Sequence, residues 1–321
     1  MTMANIYKPE GLLLGTAQNR ELLALGRSGL ERAMAAGIIM ESTALLCDGD
    51  MNLHVDLHGI IGIIPRDEVC YNKNGDEIKD IAIITRVGKP VCFKVTGIVE
   101  RDGSACAILS RREAQIECMN NYVSDLIPGD VICSRVTHLD SFGAFVDIGC
   151  GIVSLLSVDC ISVSRFSHPR DRLYNGMIIY TVVKSIDYEK ARIFVSMREL
   201  LGTWEENAAL FEPGQTVAGI IRSVESYGIF IELAPNLAGL AELKDDAGLQ
   251  SGDDSVGRLA AVYIKNIIPE RMKIKLVLID SYKGELPSPR LKYFIDGGTV
   301  KHIDRWRYSP DACTKLIETV F

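Results

Sequence analysis

The chain repeats one pattern of short apolar segments at a fixed spacing of 85 residues. A Pro-Gly pair opens each copy, at Pro128 and at Pro213, and an aromatic-Gly-x-Phe turn follows at Phe142–Phe145 and at Tyr227–Phe230. Because every matched residue has the same offset, the pattern indicates a duplicated domain. A more diverged third copy precedes these two, and it shares the Gly-rich turn into a third strand and the closing Ser-x-Arg-Glu segment.

Each copy has the composition of a small antiparallel barrel. In residues 128–199, five runs rich in Val, Ile and Phe are separated by Gly, Asp and Asn, and no helical apolar spacing connects the first three runs. A five-stranded sheet leaves its edges exposed unless it closes, and the OB-fold closes such a sheet. The sequence therefore predicts a mainly β protein with three tandem five-stranded OB-fold barrels joined by short helices, an N-terminal helix and a C-terminal extension.

The repeats also predict the domain limits. The expected segments are an N-terminal part with an amphipathic helix (1–40), a divergent OB barrel (41–125), a second barrel (126–201), a helical linker (202–212), a third barrel (213–281) and a C-terminal extension (282–321). Within the first barrel, residues 71–86 read as a loop between the third and fourth strands, with a turn at Asn74-Gly75.

Three helices are expected outside the barrels. Apolar residues at helical spacing predict one helix over Gln18–Ala36, with Gly37 as its end. Thr203, followed by two glutamates, is a favourable N-cap for a short linker helix. The run Ser309-Pro310-Asp311 predicts the start of a final helix that reaches Val320.

The motifs of residues 128–199 resemble a known family. They include Gly-Asp-Val at Gly129–Val131, Ser-Phe-Gly-Ala-Phe-Val at Ser141–Val146, Ser-His-Pro at Ser167–Pro169 and the closing segment Arg192–Glu199. This unit resembles the S1 (S-one) domain, the RNA-binding OB-fold repeat named after protein one of the bacterial small ribosomal subunit. The third barrel resembles that domain less completely, and the first is similar to the divergent ribosome-docking repeats of that protein.

The second strand carries the strongest candidate for an RNA contact. An OB-fold usually binds oligonucleotides on the face of strands two and three, and stacking a base on an exposed ring contributes about 1–3 kcal/mol. Phe142 and Phe145 lie on either side of Gly143 and Ala144, and alternation with buried Val146 predicts that Phe145 is exposed. The alternative is that both rings fill the barrel interior. The corresponding positions in the first barrel are Met51 and His54, so we expect that barrel to dock on protein rather than on bases.

Further candidates come partly from the resemblance. The family pattern has an Asp at the end of strand four and an Arg at the start of strand five, which implies roles for Asp187 and Arg192, while Ser154 replaces the family's usual His. The loop after strand three mixes cations with an aromatic ring, which suits RNA but is also typical of a solvated loop. The predicted RNA-binding residues are Phe142, Phe145, Ser154, Arg165, His168, Arg170, Asp187, Arg192, Tyr227, Phe230 and Lys273. For the third barrel, RNA binding and its absence are equally expected, because Glu242 and Lys244–Asp246 place carboxylates at the rim.

In the extension, the Arg-Trp-Arg-Tyr run at 305–308 has two interpretations. Trp306 and Tyr308 either stack on a base or, as we expect, hold the tail on the third barrel.

Other function classes lack support in the sequence. There is no Gly-rich phosphate loop, no paired metal-ligand cluster among the five histidines and no Cys-x-x-Cys among the nine cysteines. We therefore expect no catalytic residue, no cofactor and no metal, and hence no enzyme. No apolar run is long enough for a membrane span, and the first ten residues lack a signal-peptide core, so a cytoplasmic location is expected.

The net charge of −7 argues against a wholly basic RNA-binding surface, but residues 126–201 are neutral overall. The preferred hypothesis is a non-catalytic protein that binds single-stranded RNA, such as mRNA, and is associated with the small ribosomal subunit in translation. The alternative is a protein-binding adaptor whose barrels dock on the ribosome or another protein with little RNA affinity. The sequence leaves the oligomeric state open.

Overall fold

The computed structural model describes residues 6–72, 77–101, 103–187, 189, 192–242, 255–284 and 291–321. The chain divides into two compact units. Unit 1 comprises Met1–Leu126 and Asp147–Val153, and unit 2 comprises Ile127–Val146 and Ser154–Phe321.

Three closed barrels of five strands make up most of the chain. The strands of barrel 1 are β1 (Met40–Cys47), β2 (Leu53–Asp56), β3 (Ile61–Ile64), β4 (Pro90–Arg101) and β5 (Ser104–Ser110). Those of barrel 2 are β6 (Val131–Asp140), β7 (Gly143–Asp147), β8 (Val153–Ser157), β9 (Ile178–Asp187) and β10 (Arg192–Ser196). Those of barrel 3 are β11 (Thr216–Glu225), β12 (Gly228–Ala234), β13 (Leu237–Ala241), β14 (Leu259–Ile268) and β15 (Lys273–Tyr282).

All three barrels share one topology. The strand order is first-second-third-fifth-fourth with closure between the first and fourth, and the third and fifth strands pair in parallel. Alternation fills each interior: in β12, Ile229 and Ile231 are buried while Phe230, between them, is half-exposed. The OB-fold prediction is thereby confirmed.

The predicted helix over residues 18–36 is in fact two helices, α1 (Ala17–Ala24) and α2 (Arg27–Ala36). Gly26 lies between them with φ 56°, a backbone conformation that side chains other than glycine disfavour, so the helix breaks there. The predicted end is correct, because Gly37 terminates α2 in the left-handed conformation.

Two further helices sit in the first barrel. The insert between β3 and β4 contains α3 (Asp80–Ile84), whereas the predicted turn at Asn74-Gly75 lies outside the described residues. After β5, α4 (Arg111–Asn121) was not predicted. The sequence does contain a helix-start signal, because Ser110 is a favourable N-cap residue. In the structure its hydroxyl accepts a hydrogen bond from the Glu113 N–H at 2.8 Å.

The linker behaves largely as predicted. A 3₁₀ turn (Arg198–Leu201) is followed by α5 (Trp204–Ala208), and Thr203 and Glu206 form a capping box at its start.

The predicted C-terminal helix is wrong. Residues 305–307 (β16) and 318–320 (β17) instead form an antiparallel pair, with Trp306 opposite Thr319. Ser309 does not cap a helix, because its hydroxyl accepts the Ile317 N–H at 2.6 Å and holds the returning chain. Trp306 and Tyr308 are buried in the barrel 3 core cluster, and the Tyr308 hydroxyl donates to the Asn236 carbonyl at 2.6 Å. This confirms that these rings hold the tail on barrel 3.

Unit 1 contains a buried ionic cluster. Arg111 makes a bidentate ion pair with Glu10, with Nε–Oε1 at 2.7 Å and Nη2–Oε2 at 3.0 Å, and Arg86 lies 3.5 Å from Glu10 Oε2. Burial acts to raise the pKa of Glu10, but Arg111, Arg86 and the Cys92 N–H together outweigh burial, and the net shift is downward. Asp147 accepts the N–H groups of Glu10, Gly149 and Gly151 at 2.7, 2.8 and 3.0 Å.

Two carboxyl groups of unit 1, those of Asp147 and Glu41, should make its stability depend on pH. Burial, with the Glu10 charge nearby, raises the pKa of Asp147 from 3.8 to about 7. Burial likewise raises the pKa of Glu41 from 4.5 to about 6. A raised carboxyl pKa means that the folded state retains protons that the unfolded state has released. The contribution of these groups to stability therefore falls as the pH rises from 3.8, the ordinary pKa of Asp147, to about 7 and is constant above that.

Hydrogen exchange of the β1–β5 amides in the full chain, corrected for the intrinsic effect of pH, measures this dependence. Asp147→Asn and Glu41→Gln are expected to flatten the slope between pH 5 and pH 7. Slopes that are the same in the wild type and both variants would contradict the prediction.

Candidate nucleic-acid interface

Barrel 2 presents a row of exposed and half-buried rings and apolar side chains across its strands. The row runs from His138 on β6 through Phe145 on β7 and Leu155 on β8 to Phe194 on β10, and Leu155 and Phe194 are direct partners in the ladder. The His138 ring stacks on Phe145 with a centroid distance of 6.2 Å and an interplanar angle of 27°. Phe142 lies beside the row. We call these five residues the aromatic face of barrel 2.

Phe142 and Phe145 form an edge-to-face pair with centroids 5.9 Å apart. Phe142 is 49% exposed and Phe145 is half-buried, while the neighbouring Ala144 and Val146 are fully buried. The alternative that both rings fill the interior is therefore wrong. Gly143 is required between them, because a Cβ there would collide with the Leu156 carbonyl of the next strand.

Asp187 and Arg192, which were predicted to bind RNA, lie at the end of the hairpin formed by β9 and β10. Asp187 and Arg192 face each other directly in the β9–β10 ladder, and Arg192 is exposed. Ser154 is placed differently. Its side chain is buried, and its hydroxyl donates to the Ile193 carbonyl at 2.6 Å, so it does not reach the aromatic face.

The loop after β8 is partly exposed and partly anchored. Arg165 and Arg170 are exposed, whereas the Nδ1 of half-buried His168 accepts the Arg170 N–H at 3.1 Å. Arg172 is buried: its guanidinium lies 5.0 Å from the centroid of the Phe166 ring, and it forms an ion pair with Glu232 of β12. Because this ion pair joins the loop to barrel 3, the loop has a fixed position in unit 2.

Barrel 3 repeats the aromatic pair with a different neighbour. Tyr227 is 62% exposed and meets Phe230 edge-to-face at 6.1 Å. The ladder runs from Ser223 through Phe230 and Leu240 to Lys275, so Lys275 occupies the place that Phe194 has in barrel 2. The predicted Lys273 is exposed at the start of β15. Glu242 is exposed after β13, and Lys244–Asp246 lie outside the described residues.

The equivalent row of barrel 1 has no large aromatic ring. Leu46, His54, Ile63 and Ile108 are successive ladder partners. His54 Nε2 lies 3.0 Å from Asp48 Oδ2, and this hydrogen bond lowers the pKa of Asp48 to about 2. The histidine is therefore engaged by a carboxylate, and the surface around it is aliphatic.

The predicted RNA-binding residues omit several members of these rows, among them His138, Leu155, Phe194 and Lys275. Phe194 and Lys275 follow from period-2 alternation once the register is known, since each lies between two buried strand residues. In β6 the alternation is interrupted, because half-buried Thr137 precedes exposed His138. The Lys-Ile-Lys run at 273–275 carried the signal for Lys275, but the register was needed to place it in the row.

The described residues contain no group of three or more His, Cys, Asp or Glu side chains that could hold a metal ion. Among the helices of the described ranges, none is sufficiently long and apolar to cross a membrane.

The closed five-stranded barrel has the architecture of the OB-fold, and its exposed rings lie on the strand that often forms the oligonucleotide surface of that fold. Residues 125–198 match the S1 RNA binding domain, so the chain carries an S1 domain that coincides with barrel 2.

The chain is also homologous to the small ribosomal subunit protein bS1. It is 31% identical to bS1 of Rhodopseudomonas palustris over 60% of this chain and 33% of that protein. It is 26% identical to bS1 of Pseudomonas aeruginosa over 94% of this chain and 53% of that protein. The chain thus spans between a third and about half of the length of these relatives. A solved multidomain protein with nucleic acid binding domains from Streptococcus pneumoniae aligns over 78% of this chain and 76% of its own chain, at 14% identity and a TM-score of 0.24.

Proposed function

We propose that this protein is a non-catalytic, cytoplasmic RNA-binding protein of translation that holds single-stranded RNA, such as mRNA, and associates with the small ribosomal subunit. The observation that carries the proposal is the exposed Phe142–Phe145 pair, which continues into His138. The relatives that are named small ribosomal subunit proteins support the ribosomal part.

The chemistry of the aromatic face of barrel 2 suits successive bases of a flexible strand. Every base has a π-face, so stacking on aromatic rings tolerates changes of sequence. The exposed guanidinium groups of Arg165, Arg170 and Arg192 supply phosphate contacts near these rings or in the adjoining loop. Because the net charge is −7, phosphate neutralisation depends on these local cations, and binding is expected to weaken as salt rises.

The double variant Phe142→Ala/Phe145→Ala is expected to weaken binding of a short unstructured RNA by about 2 kcal/mol or more, roughly 30-fold, because it removes both stacking rings. Fluorescence anisotropy of a labelled RNA at two salt concentrations measures the effect. Leu46→Ala/His54→Ala, at the equivalent row of barrel 1, is the matched control and should leave the affinity unchanged. Absence of RNA binding by folded wild-type protein at low salt would overturn the proposal.

A second function, docking on protein, is favoured for barrel 1 by its exposed aliphatic side chains. Leu45, Leu46 and Ile61 are 48%, 47% and 44% exposed around the row that contains His54. An adaptor would retain co-sedimentation with small ribosomal subunits in the Phe142→Ala/Phe145→Ala variant and lose it in Leu46→Ala/His54→Ala.

A further inference from the structure

Unit 2 contains a groove of about 460 Å³ beside the aromatic pair of barrel 3. Its lining includes Val163–Arg165 of the loop after β8 and the rings of Tyr227 and Phe230. Tyr308 and Ile317 of the tail also line it. The volume is within the range of small-ligand sites, about 300–1,000 Å³.

Arg222 lies at a specialised position in this groove. The β11–β12 register shifts between Ile221 and Ser223, so Arg222 is the extra residue of a β-bulge, a feature that commonly redirects a side chain. The residue one repeat earlier is Thr137, whose hydroxyl donates to the Phe145 carbonyl at 3.0 Å. Barrel 2 therefore has no guanidinium at this position.

The guanidinium of Arg222 is only partly satisfied. Its side chain is 4% exposed, with Nε 2.7 Å from Glu232 Oε2 and Nη1 2.8 Å from Asp171 Oδ2. Its Nη2 is buried and has no hydrogen-bond partner among the residues that the structure describes. An unpaired buried donor costs about 1–3 kcal/mol, so an acceptor that reaches Nη2 gains a favourable interaction.

We propose that this groove binds one nucleotide, which makes barrels 2 and 3 a composite site. The base stacks on Tyr227 and Phe230, an acceptor oxygen of the base or phosphate pairs with Arg222 Nη2, and exposed Arg165 contacts a phosphate from the loop of barrel 2. The nucleotide reaches Nη2 by displacing a covering side chain, and the flexible thioether of Met272, which lines the groove, is suited to such movement. The inference rests on the proposed function, since it identifies the third-barrel part of the same RNA path.

The test compares RNAs of two lengths with the full chain. Tyr227→Ala and Arg165→Gln change exposed side chains and should not affect folding. Each is expected to weaken binding of an RNA of about 12 nucleotides by roughly 5–10-fold. An RNA of about 4 nucleotides that occupies barrel 2 alone should bind Tyr227→Ala as tightly as the wild type. Arg222→Lys, checked for folding by circular dichroism, keeps a cation for Glu232 and Asp171 but removes Nη2, and should resemble Tyr227→Ala.

The outcomes separate this inference from the proposed function. If Phe142→Ala/Phe145→Ala weakens RNA binding but Tyr227→Ala, Arg165→Gln and Arg222→Lys do not, the composite site is wrong and the face of barrel 2 acts alone. If none of the variants matters, both ideas fail. A titration with uridine monophosphate tests whether the groove binds a free nucleotide. Binding is followed through the fluorescence of Trp204, which lines the groove. Saturable binding of this mononucleotide, with no effect of Tyr227→Ala on the long RNA, would assign the groove to free nucleotides and overturn its role in RNA binding.

Discussion

The Glu10→Gln variant is expected to lose about 3–5 kcal/mol of free energy of unfolding in unit 1. Removing one partner of a buried ion pair leaves the other as an uncompensated charge, and Arg111 is 2% exposed beside Glu10. Arg86 adds a second cation to the same carboxylate, and the Cys92 N–H donates to Glu10 Oε1 at 3.1 Å. The variant therefore disturbs several contacts that join the N-terminal segment to β4 and α4.

Hydrogen exchange of the full-length chain measures this loss, with the β1–β5 amides as the readout and the β11–β15 amides as an internal reference. Glu31→Gln is the matched control, because its ion pair with Arg27 is exposed and such pairs contribute at most about 1 kcal/mol. The double variant Glu10→Gln/Arg111→Met should be less destabilised than Glu10→Gln, since it does not leave the buried Arg111 guanidinium without its carboxylate. Equal protection of β1–β5 in the wild type and Glu10→Gln would contradict the prediction.

The second large loss of stability is expected for the Glu232→Gln variant. The buried Glu232 carboxylate accepts hydrogen bonds from both Arg172 and Arg222, so Glu232→Gln removes the carboxylate partner of Arg172 and leaves Arg222 with Asp171 alone. We expect a loss of about 3–5 kcal/mol, with increased exchange in β11–β15 and in the loop after β8. Here β1–β5 serve as the internal reference.

Glu270→Gln provides the control for this substitution. Glu270 is exposed in a 3₁₀ turn of the same barrel, and its replacement should change stability by at most about 0.5 kcal/mol. If Glu232→Gln is as stable as Glu270→Gln, the ionic network does not hold the loop on barrel 3. Because the same loop carries Arg165, Glu232→Gln should also weaken binding of the longer RNA.

The sequence by itself determined the three barrels and the rings of their second strands. Period-2 alternation and glycine-rich turns are local signals, and the 85-residue repeat let the clear copy identify the diverged ones. The outward position of half-buried Phe145 followed from the same alternation. The helix α5 was likewise predictable, because its N-cap is a local contact: the Thr203 hydroxyl accepts a hydrogen bond from the N–H of Glu206, three residues later.

Only the tertiary structure decided features that depend on residues far apart in the chain. The tail became a strand pair because Trp306 and Tyr308 pack into barrel 3, a gain that outweighed the local helix signal at Ser309. Ser154 turned inward because its hydroxyl finds the Ile193 carbonyl, 39 residues away. The groove at Arg222 exists because a bulge and a loop from another barrel meet, and local sequence patterns do not encode such long-range contacts.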